Sequence, residues 1–411
     1  MNDVPTSLLR QTLPLISGVS LLLFLLLSTT AQGATYYVAT TGSDSNPGTS
    51  ASPWRNPQKC AASPIKAGDT CIVRSGTYTA PSSKPNLVVY IGGASASGTS
   101  SLPITIKSEK PLGASMIVPS TASTTNAAFY LSRPYYIIEG FDISGGANNG
   151  SSAGFAGIHF TSSATGTIIR SNSIHHVGRS VCSNSVYGFS GIFINKTSSV
   201  VVERNRIYSI GRRRNGESGC STSLYQNDHG VYVVGAPSLV VRRNVFYDTN
   251  RGWPIHVYGG TTSNLRIYHN TFSGRSPTGK PIGQIMLAST INTAYIKNNI
   301  STGAQTGLIV SYGLSASSVS VTYNHSDTQI RAQPSIPNVA FSNNYEKSTN
   351  LNFISKSTND FRLSSTSGAI DRGTPSGVPI VPDGLPDNGG YEYALQSTLS
   401  SPLTPTGVKA Q

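Results

Sequence analysis

One short segment of the sequence carries side chains that could move a proton. In QNDHGVYV (226–233), Asp228 and His229 are adjacent, and the alternation that follows them indicates that they stand at the start of a strand. A carboxylate beside an imidazole can fix its orientation or act as a general acid or base. We therefore predict that Asp228 and His229 are catalytic. The alternative is a turn in which both side chains satisfy backbone groups.

A second segment, GWPIHVYGG (252–260), supplies further side chains of this kind. Aligning the two segments as successive strands of one repeating unit places Tyr232 and His256 at equivalent outward positions. We predict His256 as a third catalytic residue. We predict that Tyr232, Trp253 and Tyr258 bind substrate, because stacked aromatic and imidazole groups form a platform for a sugar ring.

Arginine residues cluster near the same strands. The chain has 30 Lys and Arg residues against 17 Asp and Glu, a formal net charge of +13, and such a field attracts polyanions. We predict that Arg204, Arg242 and Arg243 bind substrate, because each planar guanidinium can pair with two oxygens of a carboxylate or sulfate. The alternative is that these side chains only solubilise the outer strand faces.

A repeated strand motif predicts the fold that positions these residues. A β-branched inward residue three positions before an Asn recurs six times, at Asn172, Asn205, Asn244, Asn270, Asn299 and Asn324. The intervals are 33, 39, 26, 29 and 25 residues, with a looser alternating strand between the copies. A strand-rich repeat of about 25 residues predicts an all-β parallel solenoid of roughly a dozen coils, held by a structural ladder of stacked Asn side chains.

The four cysteines fit this stacking. Cys60 and Cys71 close a short loop, whereas Cys182 and Cys220 lie in loops inserted after consecutive Asn strands, which stacking would bring together. We predict both disulfides, in an oxidising compartment. No CxxC or HxxxH spacing accompanies the cysteines, so we predict no metal site, although Ca²⁺ stays open as a cofactor without a clear ligand cluster.

The N-terminus predicts export. Arg10 precedes a largely apolar run of 15 residues (13–27), and the small-residue site Ala31-Gln32-Gly33 follows. This run is shorter than the roughly 18 residues that span a bilayer, so residues 1–33 are predicted to be a signal peptide. We expect a mature protein that is secreted, periplasmic or at the cell surface, with no membrane span after cleavage.

The mature chain is expected to be one domain. Residues 34–80 should form an N-terminal cap and first coil, residues 81–345 the coils, and residues 346–411 an irregular capping segment and tail. Only 11% of the residues are charged, which argues against a charge-solubilised helical or coiled-coil protein. We expect a monomer that does not bind nucleic acid, since the chain is exported and has no recognisable binding module.

Both ends of this mature chain resemble a known group. The segments YYVATTGSDSNPGTSASPW (36–54) with IKAGDTCIVRSGTY (65–78), and DFRLSSTSGAIDRG (360–373) with DGLPDNGGYEYA (383–394), are similar to terminal segments of secreted β-helix proteins. These belong to the pectate-lyase-like superfamily, which includes alginate lyases and chondroitinase B. The resemblance implies a right-handed parallel β-helix and an acidic polysaccharide as substrate. In its lyase branches a Lys or Arg abstracts the proton beside a uronate carboxyl group.

The predicted function is therefore a secreted carbohydrate-active protein that acts on acidic polysaccharide, as an eliminating lyase if it is an enzyme. The main alternative is a non-catalytic glycan-binding or surface and matrix structural protein, since no Lys of the central coils lies near a pair of acids. A glycoside hydrolase or a uronate epimerase is a further alternative. A hydrolase needs two carboxyl groups about 5–10 Å apart, for which Asp228 with Glu203 or Asp248 is the candidate pair.

Overall fold

A computed structural model describes most of the chain between residues 33 and 393. The described residues are 33–120, 125–145, 156–179, 181–182, 188–213, 216–220, 227–249, 252–274, 283–304, 306–311, 314–331, 337–375 and 385–393. Apart from residue 33, the predicted signal peptide lies outside them, as does the C-terminal tail from residue 394.

The described residues are almost entirely strands and turns, with three short 3₁₀ helices at Pro57–Ala61, Glu217–Gly219 and Lys356–Thr358. The strands are, in chain order, β1 (Thr35–Val38), β2 (Thr70–Val73), β3 (Gly76–Tyr78), β4 (Leu87–Ile91), β5 (Ile104–Ser108), β6 (Ala114–Ile117), β7 (Ala127–Leu131), β8 (Tyr136–Glu139), β9 (Asp142–Ser144), β10 (Ala156–Phe160), β11 (Ile168–Arg170), β12 (Ser173–His175), β13 (Ser190–Asn195), β14 (Val201–Glu203), β15 (Arg206–Ile210), β16 (His229–Val234), β17 (Val240–Arg242), β18 (Val245–Thr249), β19 (Ile255–Thr262), β20 (Leu265–Tyr268), β21 (Thr271–Ser273), β22 (Ile285–Lys297), β23 (Ile300–Thr302), β24 (Ile309–Ser311), β25 (Ser315–Thr322), β26 (His325–Ser326), β27 (Val339–Ser342), β28 (Phe353–Ser355) and β29 (Asp360–Leu363).

Parallel pairing stacks β1 to β27 in three columns, and successive coils contribute one strand to each column in turn, whereas β28 and β29 form a separate antiparallel pair. Column 1 consists of β4, β7, β10, β13, β16, β19, the start of β22, and β24. Column 2 consists of β1, β2, β5, β8, β11, β14, β17, β20, the end of β22, β25 and β27. Column 3 runs from β3 to β26 as a nine-stranded sheet. The result is a parallel β-helix.

Alternation along each strand builds the core of this helix. In one coil, Val231, Val241 and Phe246 point inward from the three columns and are fully buried. Gly230, the second residue of β16, lies where the backbone of the next coil approaches. A Cβ added at Gly230 would stand 2.5 Å from the Pro254 carbonyl oxygen, so only glycine fits there.

The predicted Asn ladder is present at the turn between columns 2 and 3. In each rung the backbone N–H and one side-chain N–H of the Asn donate to the Oδ1 of the Asn one coil on. The residue before each of these asparagines is left-handed, with φ of 55° at Arg204 and 53° at Arg243. The ladder therefore combines backbone and side-chain donors to hold a tight turn in successive coils.

The C-terminal segment lies along the flank of the coils in its described part. Phe361 of β29 packs on Tyr247 of column 3 with ring centroids 5.6 Å apart, and Glu392 pairs with Arg243 at 3.0 Å. Its apolar residues cover the aromatic side chains of column 3, which would otherwise face water.

Candidate functional site

Column 1 carries a continuous row of rings on its outer face. The parallel register places one ring per coil at the same outward position, at Tyr90, Tyr130, His159, Phe193, Tyr232 and His256. We call these six residues the aromatic row. Neighbouring strands lie about 4.8 Å apart, so the row is about 24 Å long. A straight, rigid strip of this length could contact an extended chain.

The rings of this row pack largely against one another. The Phe193 and Tyr232 rings are stacked with centroids 5.3 Å apart, and the Tyr232 and His256 rings are tilted by 47° at 5.4 Å. Their faces are thus occupied along the row, and ring edges and phenol hydroxyl groups remain for a ligand. This corrects the expectation of a platform that stacks on sugar rings. Tyr258, 52% exposed, has a more open ring beside His256.

A hydrogen-bonded pair of imidazoles stands at one end of the row. The backbone N–H of Trp253 donates to His229 Nδ1 at 3.3 Å, which assigns the proton of neutral His229 to Nε2. That nitrogen lies 3.0 Å from His256 Nδ1, so His229 donates and His256 keeps its own proton on Nε2. His256 Nε2 has no protein partner in the described residues, and its N–H is therefore available to a ligand.

Burial keeps both imidazoles neutral. It lowers the pKa of His256 to about 4. Burial, followed by the nearby His256 and the positive charge of Arg212, lowers the pKa of His229 well below its ordinary value. At neutral pH His256 is thus an N–H donor with a fixed tautomer. A general base would need a free nitrogen lone pair on the outward side instead.

Asp228 forms a buried ion pair away from this face. Both Asp228 and Arg212 have fully buried side chains. Oδ1 of Asp228 accepts the Phe189 N–H and Nη2 of Arg212, both at 2.9 Å. Oδ2 accepts the Arg212 backbone N–H at 2.9 Å and its Nε at 3.1 Å. The carboxylate thereby joins the ends of two inserted loops to the coil.

These contacts contradict the predicted catalytic roles of Asp228 and His229. Asp228 does not orient His229, since its oxygens are occupied by Phe189 and Arg212. His229 is 4% exposed and both its ring nitrogens are engaged. The structure instead agrees with the alternative in which Asp228 satisfies backbone groups. Of the three predicted catalytic residues, His256 alone presents a ring nitrogen for a ligand in the described structure.

The acid pair expected for a hydrolase does not form. Asp228 is buried beside Arg212, Glu203 lies on column 2 bound to Arg242, and Asp248 lies on column 3 bound to the Ser209 hydroxyl. The three carboxylates thus lie in three different parts of the coil. Because Asp228 is fully buried, it cannot act with either of the others on the two sides of one glycosidic bond.

The predicted binding residue Arg242 belongs to a charge ladder on the outer face of column 2. The register alternates Glu139, Arg170, Glu203 and Arg242 on successive coils. Arg242 Nη2 lies 2.6 Å from Glu203 Oε2, and Nη1 donates to the Tyr268 hydroxyl at 3.2 Å. The guanidinium is thus neutralised within the fold, which contradicts its predicted role in binding substrate.

The other predicted binding residues lie in several places. Arg243 pairs with Glu392 of the C-terminal segment and is not available. Arg204 is exposed, but at the turn between columns 2 and 3, away from the aromatic row. Trp253 is 1% exposed, since its ring packs against Met286, so it cannot stack on a ligand. Tyr232 and Tyr258 do lie on the same face as His256.

Disulfide-linked loops border this face. Cys182 and Cys220 are bonded across adjacent coils, and Cys60 is bonded to Cys71. Both predicted pairs are confirmed, Cys182–Cys220 from the stacking of the repeats and Cys60–Cys71 from the short loop between them. An Arg179–Glu217 ion pair at 2.7 Å joins the same two loops. The loops precede β13 and β16, so they stand beside column 1.

The sequence analysis did not identify four members of the aromatic row. They are Tyr90, Tyr130, His159 and Phe193. A signal was present, because the third letters of the aligned strands GIHF, GIFI, GVYV and PIHV are His159, Phe193, Tyr232 and His256. Comparing all coils at this position would have revealed most of the row.

Two general features of the described residues bear on function. They contain no group of three or more His, Cys, Asp or Glu side chains arranged to hold a metal ion. None of the helices that the structure describes is long and apolar enough to cross a membrane.

Comparisons with known proteins agree with the coil architecture. Residues 190–362 match the family described as a right-handed β-helix region. Pectate lyase Pel9A has a similar structure, with 18% identity, a TM-score of 0.50, and coverage of 88% of this chain and 97% of that chain. An alginate lyase from Paenibacillus sp. str. FPU-7 is less similar, with 14% identity, a TM-score of 0.45, and coverage of 70% and 91%. No curated protein matches the sequence.

The described coils therefore form a right-handed parallel β-helix, a fold that pectate lyase Pel9A shares. This confirms the predicted fold class, including its handedness. Likeness at this identity establishes the fold, and the function has to be argued from the site.

Proposed function

We propose that this β-helix protein binds an extended polysaccharide along column 1, with the sugar chain parallel to the coil axis. The observation that carries the proposal is the aromatic row, which repeats one ring in each of six successive coils. The coil spacing of about 4.8 Å is comparable to the length of one sugar residue in an extended chain. A polymer with a similar repeat can therefore meet an equivalent ring edge at each residue.

The exposed groups of the row suit sugar hydroxyl groups. The hydroxyl groups of Tyr90, Tyr130 and Tyr232 have no protein partner in the described chain, and each can donate and accept a hydrogen bond. His256 adds a fixed N–H donor at one end. The exposed ring of Tyr258 lies 5.5 Å from His256 and widens this end of the face.

Acidic polysaccharide is the substrate class that the charge favours. The net charge of +13 attracts polyanions, and the Lys84 ammonium lies 4.3 Å from the Tyr90 ring centroid at the other end of the row. Pectate lyase Pel9A, which shares the fold, is named for pectate, which is a polyuronate. Two disulfides agree with an exported protein that meets such polymers outside the cytoplasm.

The second candidate function is an eliminating polysaccharide lyase. The observation that favours it is the Trp253–His229–His256 chain of hydrogen bonds. It aims a neutral N–H outward, where it could stabilise the negative charge that develops on a uronate carboxyl group when the adjacent proton leaves. In this role His256 is an electrophilic donor, and a separate group must accept the proton.

Binding is tested with oligogalacturonates of increasing length on wild type, Tyr232→Ala and Tyr295→Ala. Tyr295 is a suitable control because it is an exposed tyrosine, 45% accessible, on column 2. Calorimetry should show affinity that rises with length up to about six sugar residues, the number of rungs in the row. The affinity for the longest oligogalacturonate should be about tenfold lower in Tyr232→Ala than in wild type. Equal affinities for the two variants would contradict the proposed face.

Lyase activity is tested separately by incubation with polygalacturonate and alginate. Elimination creates an unsaturated uronate that absorbs in the ultraviolet, and His256→Ala should lower its rate of formation by about 100-fold. If no polyuronate yields this product while binding is retained, the protein binds without cleaving.

A further inference from the structure

The Asn ladder ends at Asn344, on the last coil that the structure describes. In every earlier rung two N–H groups of one asparagine hold a single oxygen of the next. In the last such pair, the backbone N–H and Nδ2 of Asn324 donate to Asn344 Oδ1 at 2.9 and 3.0 Å. The ladder is thus a series of two-donor sites, each occupied by an amide oxygen.

Asn344 has the same two donors without a following asparagine. Its Nδ2 gives one hydrogen to the Val321 carbonyl oxygen at 2.8 Å. In the described chain its backbone N–H and the second side-chain hydrogen have no acceptor. Asn344 is also partly exposed, whereas Asn324 is fully buried. A two-donor oxygen site therefore lies open at the end of the ladder.

A pocket of about 380 Å³ lies at this end of the Asn ladder, between the last coil and the C-terminal segment. Asn344 and Arg372 both line it. The Arg372 guanidinium lies 5.4 Å from the centroid of the Tyr345 ring. Arg372 is exposed and has no acidic partner among the described residues. The donors of Asn344 and a positive charge thus face the same space.

Acceptor groups line the rest of this pocket. Glu346 carries a carboxylate, of which Oε1 accepts the Ile330 N–H at 2.8 Å. Asn350 Oδ1 accepts the Ser348 hydroxyl at 2.6 Å and has a second lone pair. A simple inorganic anion would bring no donor for these acceptors. A ligand with a carboxylate and several hydroxyl groups would match both the donors and these acceptors.

We propose that this pocket binds a uronic acid, either free or as the end of a glycan. Its carboxylate takes the place of the next Asn oxygen, bound by the two donors of Asn344 and by Arg372. Its hydroxyl groups donate to Glu346 and Asn350. The volume lies within the range of small-ligand pockets. The site does not include the aromatic row, so this proposal can be tested independently of the function proposed for column 1.

The test titrates the full-length protein with galacturonate, galactose and acetate while the backbone amide of Asn344 is followed by NMR. Galacturonate should shift the NMR signal of this amide. Galactose, which lacks the carboxylate, and acetate, which lacks the hydroxyl groups, should each bind at least about tenfold more weakly. Equal binding of galactose and galacturonate, or galacturonate binding without a shift of Asn344, would overturn the proposal.

Two substitutions complete this test. Arg372→Gln should weaken galacturonate binding about tenfold, since it removes the charge-assisted contact. The matched control is Arg331→Gln, which removes another exposed guanidinium from above an aromatic ring, that of Phe341, outside the pocket. Tyr232→Ala, which weakens the proposed column 1 site, should leave galacturonate binding here unchanged. Identical affinities for Arg372→Gln and wild type would refute the site.

A short oligogalacturonate distinguishes the two sources of the ligand. A site for chain ends should bind digalacturonate at least as tightly as the free sugar, whereas a site for free uronate should exclude it. Absence of any galacturonate binding at millimolar concentration would contradict both forms of the proposal.

Discussion

Replacing Asp228 separates a structural from a catalytic role for the residue that the sequence singled out first. Asp228→Asn exchanges one carboxylate oxygen for an N–H group and removes the charge that compensates Arg212. Both side chains are fully buried, and the carboxylate accepts four hydrogen bonds, two at each oxygen. Breaking a buried pair by removing one partner costs about 3–5 kcal/mol. We expect a loss of that size in the free energy of unfolding.

Urea unfolding followed by tryptophan fluorescence measures this loss. Trp253 is 1% exposed and next to the coil that Asp228 holds, so unfolding there should change its emission. Glu109→Gln is the control, because Glu109 forms an ion pair of 3.5 Å with Arg74 and its side chain is 40% exposed. That substitution should cost less than about 1 kcal/mol.

A second substitution tests the physical cause. In the Asp228→Asn background, Arg212→Met should cost much less than it does in wild type, because the uncompensated cation is then gone. Suppose instead that Asp228→Asn leaves stability within about 0.5 kcal/mol of wild type and abolishes an activity on polysaccharide. The carboxylate would then be a functional group, and the structural role assigned here would be wrong.

Three further predictions concern stability. Burial lowers the pKa of His159 and His256 to about 4, and burial with the nearby Arg243 charge lowers that of His269 to about 3. The unfolded chain, with histidine pKa values near 6.5, therefore binds more protons, and the free energy of unfolding should fall as the pH is lowered from about 6.5 to 4; a constant value over this window, measured in urea, would contradict it. The variant Cys182→Ser/Cys220→Ser opens a link between residues 38 apart and should lose about 4 kcal/mol in the same assay. An unchanged midpoint would show that the link does not restrict the unfolded chain. Glu392→Gln removes the partner of Arg243 and should loosen the C-terminal segment, which limited proteolysis would detect as faster cleavage near residue 390; cleavage at the wild-type rate would count against this anchoring role.

The features predicted best from the sequence are those repeated in every coil. The Asn ladder follows from a single residue type at a recurring position, and so do the buried positions three residues earlier, such as Val202 and Val241. The same alignment could have revealed the Glu203–Arg242 pair, since each residue stands two positions before its ladder Asn. Periodic features can be predicted from the sequence because the same residue type recurs at the same position of each repeat.

The features predicted poorly depend on inserted segments. Asp228 pairs with Arg212, which lies 16 residues earlier in an inserted loop outside the repeated strands. The strand pattern does not say which way a side chain just before β16 points. Likewise, the burial of Trp253 depends on Met286 one coil on, and the neutralisation of Arg243 depends on Glu392, 149 residues away.

A crystal structure of the protein with an oligogalacturonate long enough to span the aromatic row would locate the bound polymer. We predict continuous sugar density over Tyr130, Tyr232 and His256, with the chain parallel to the coil axis and His256 Nε2 donating to a carboxylate or hydroxyl oxygen. Density confined to the column 2 charge ladder or to the exposed Arg204 turn, with column 1 bare at saturating ligand, would contradict the proposed function.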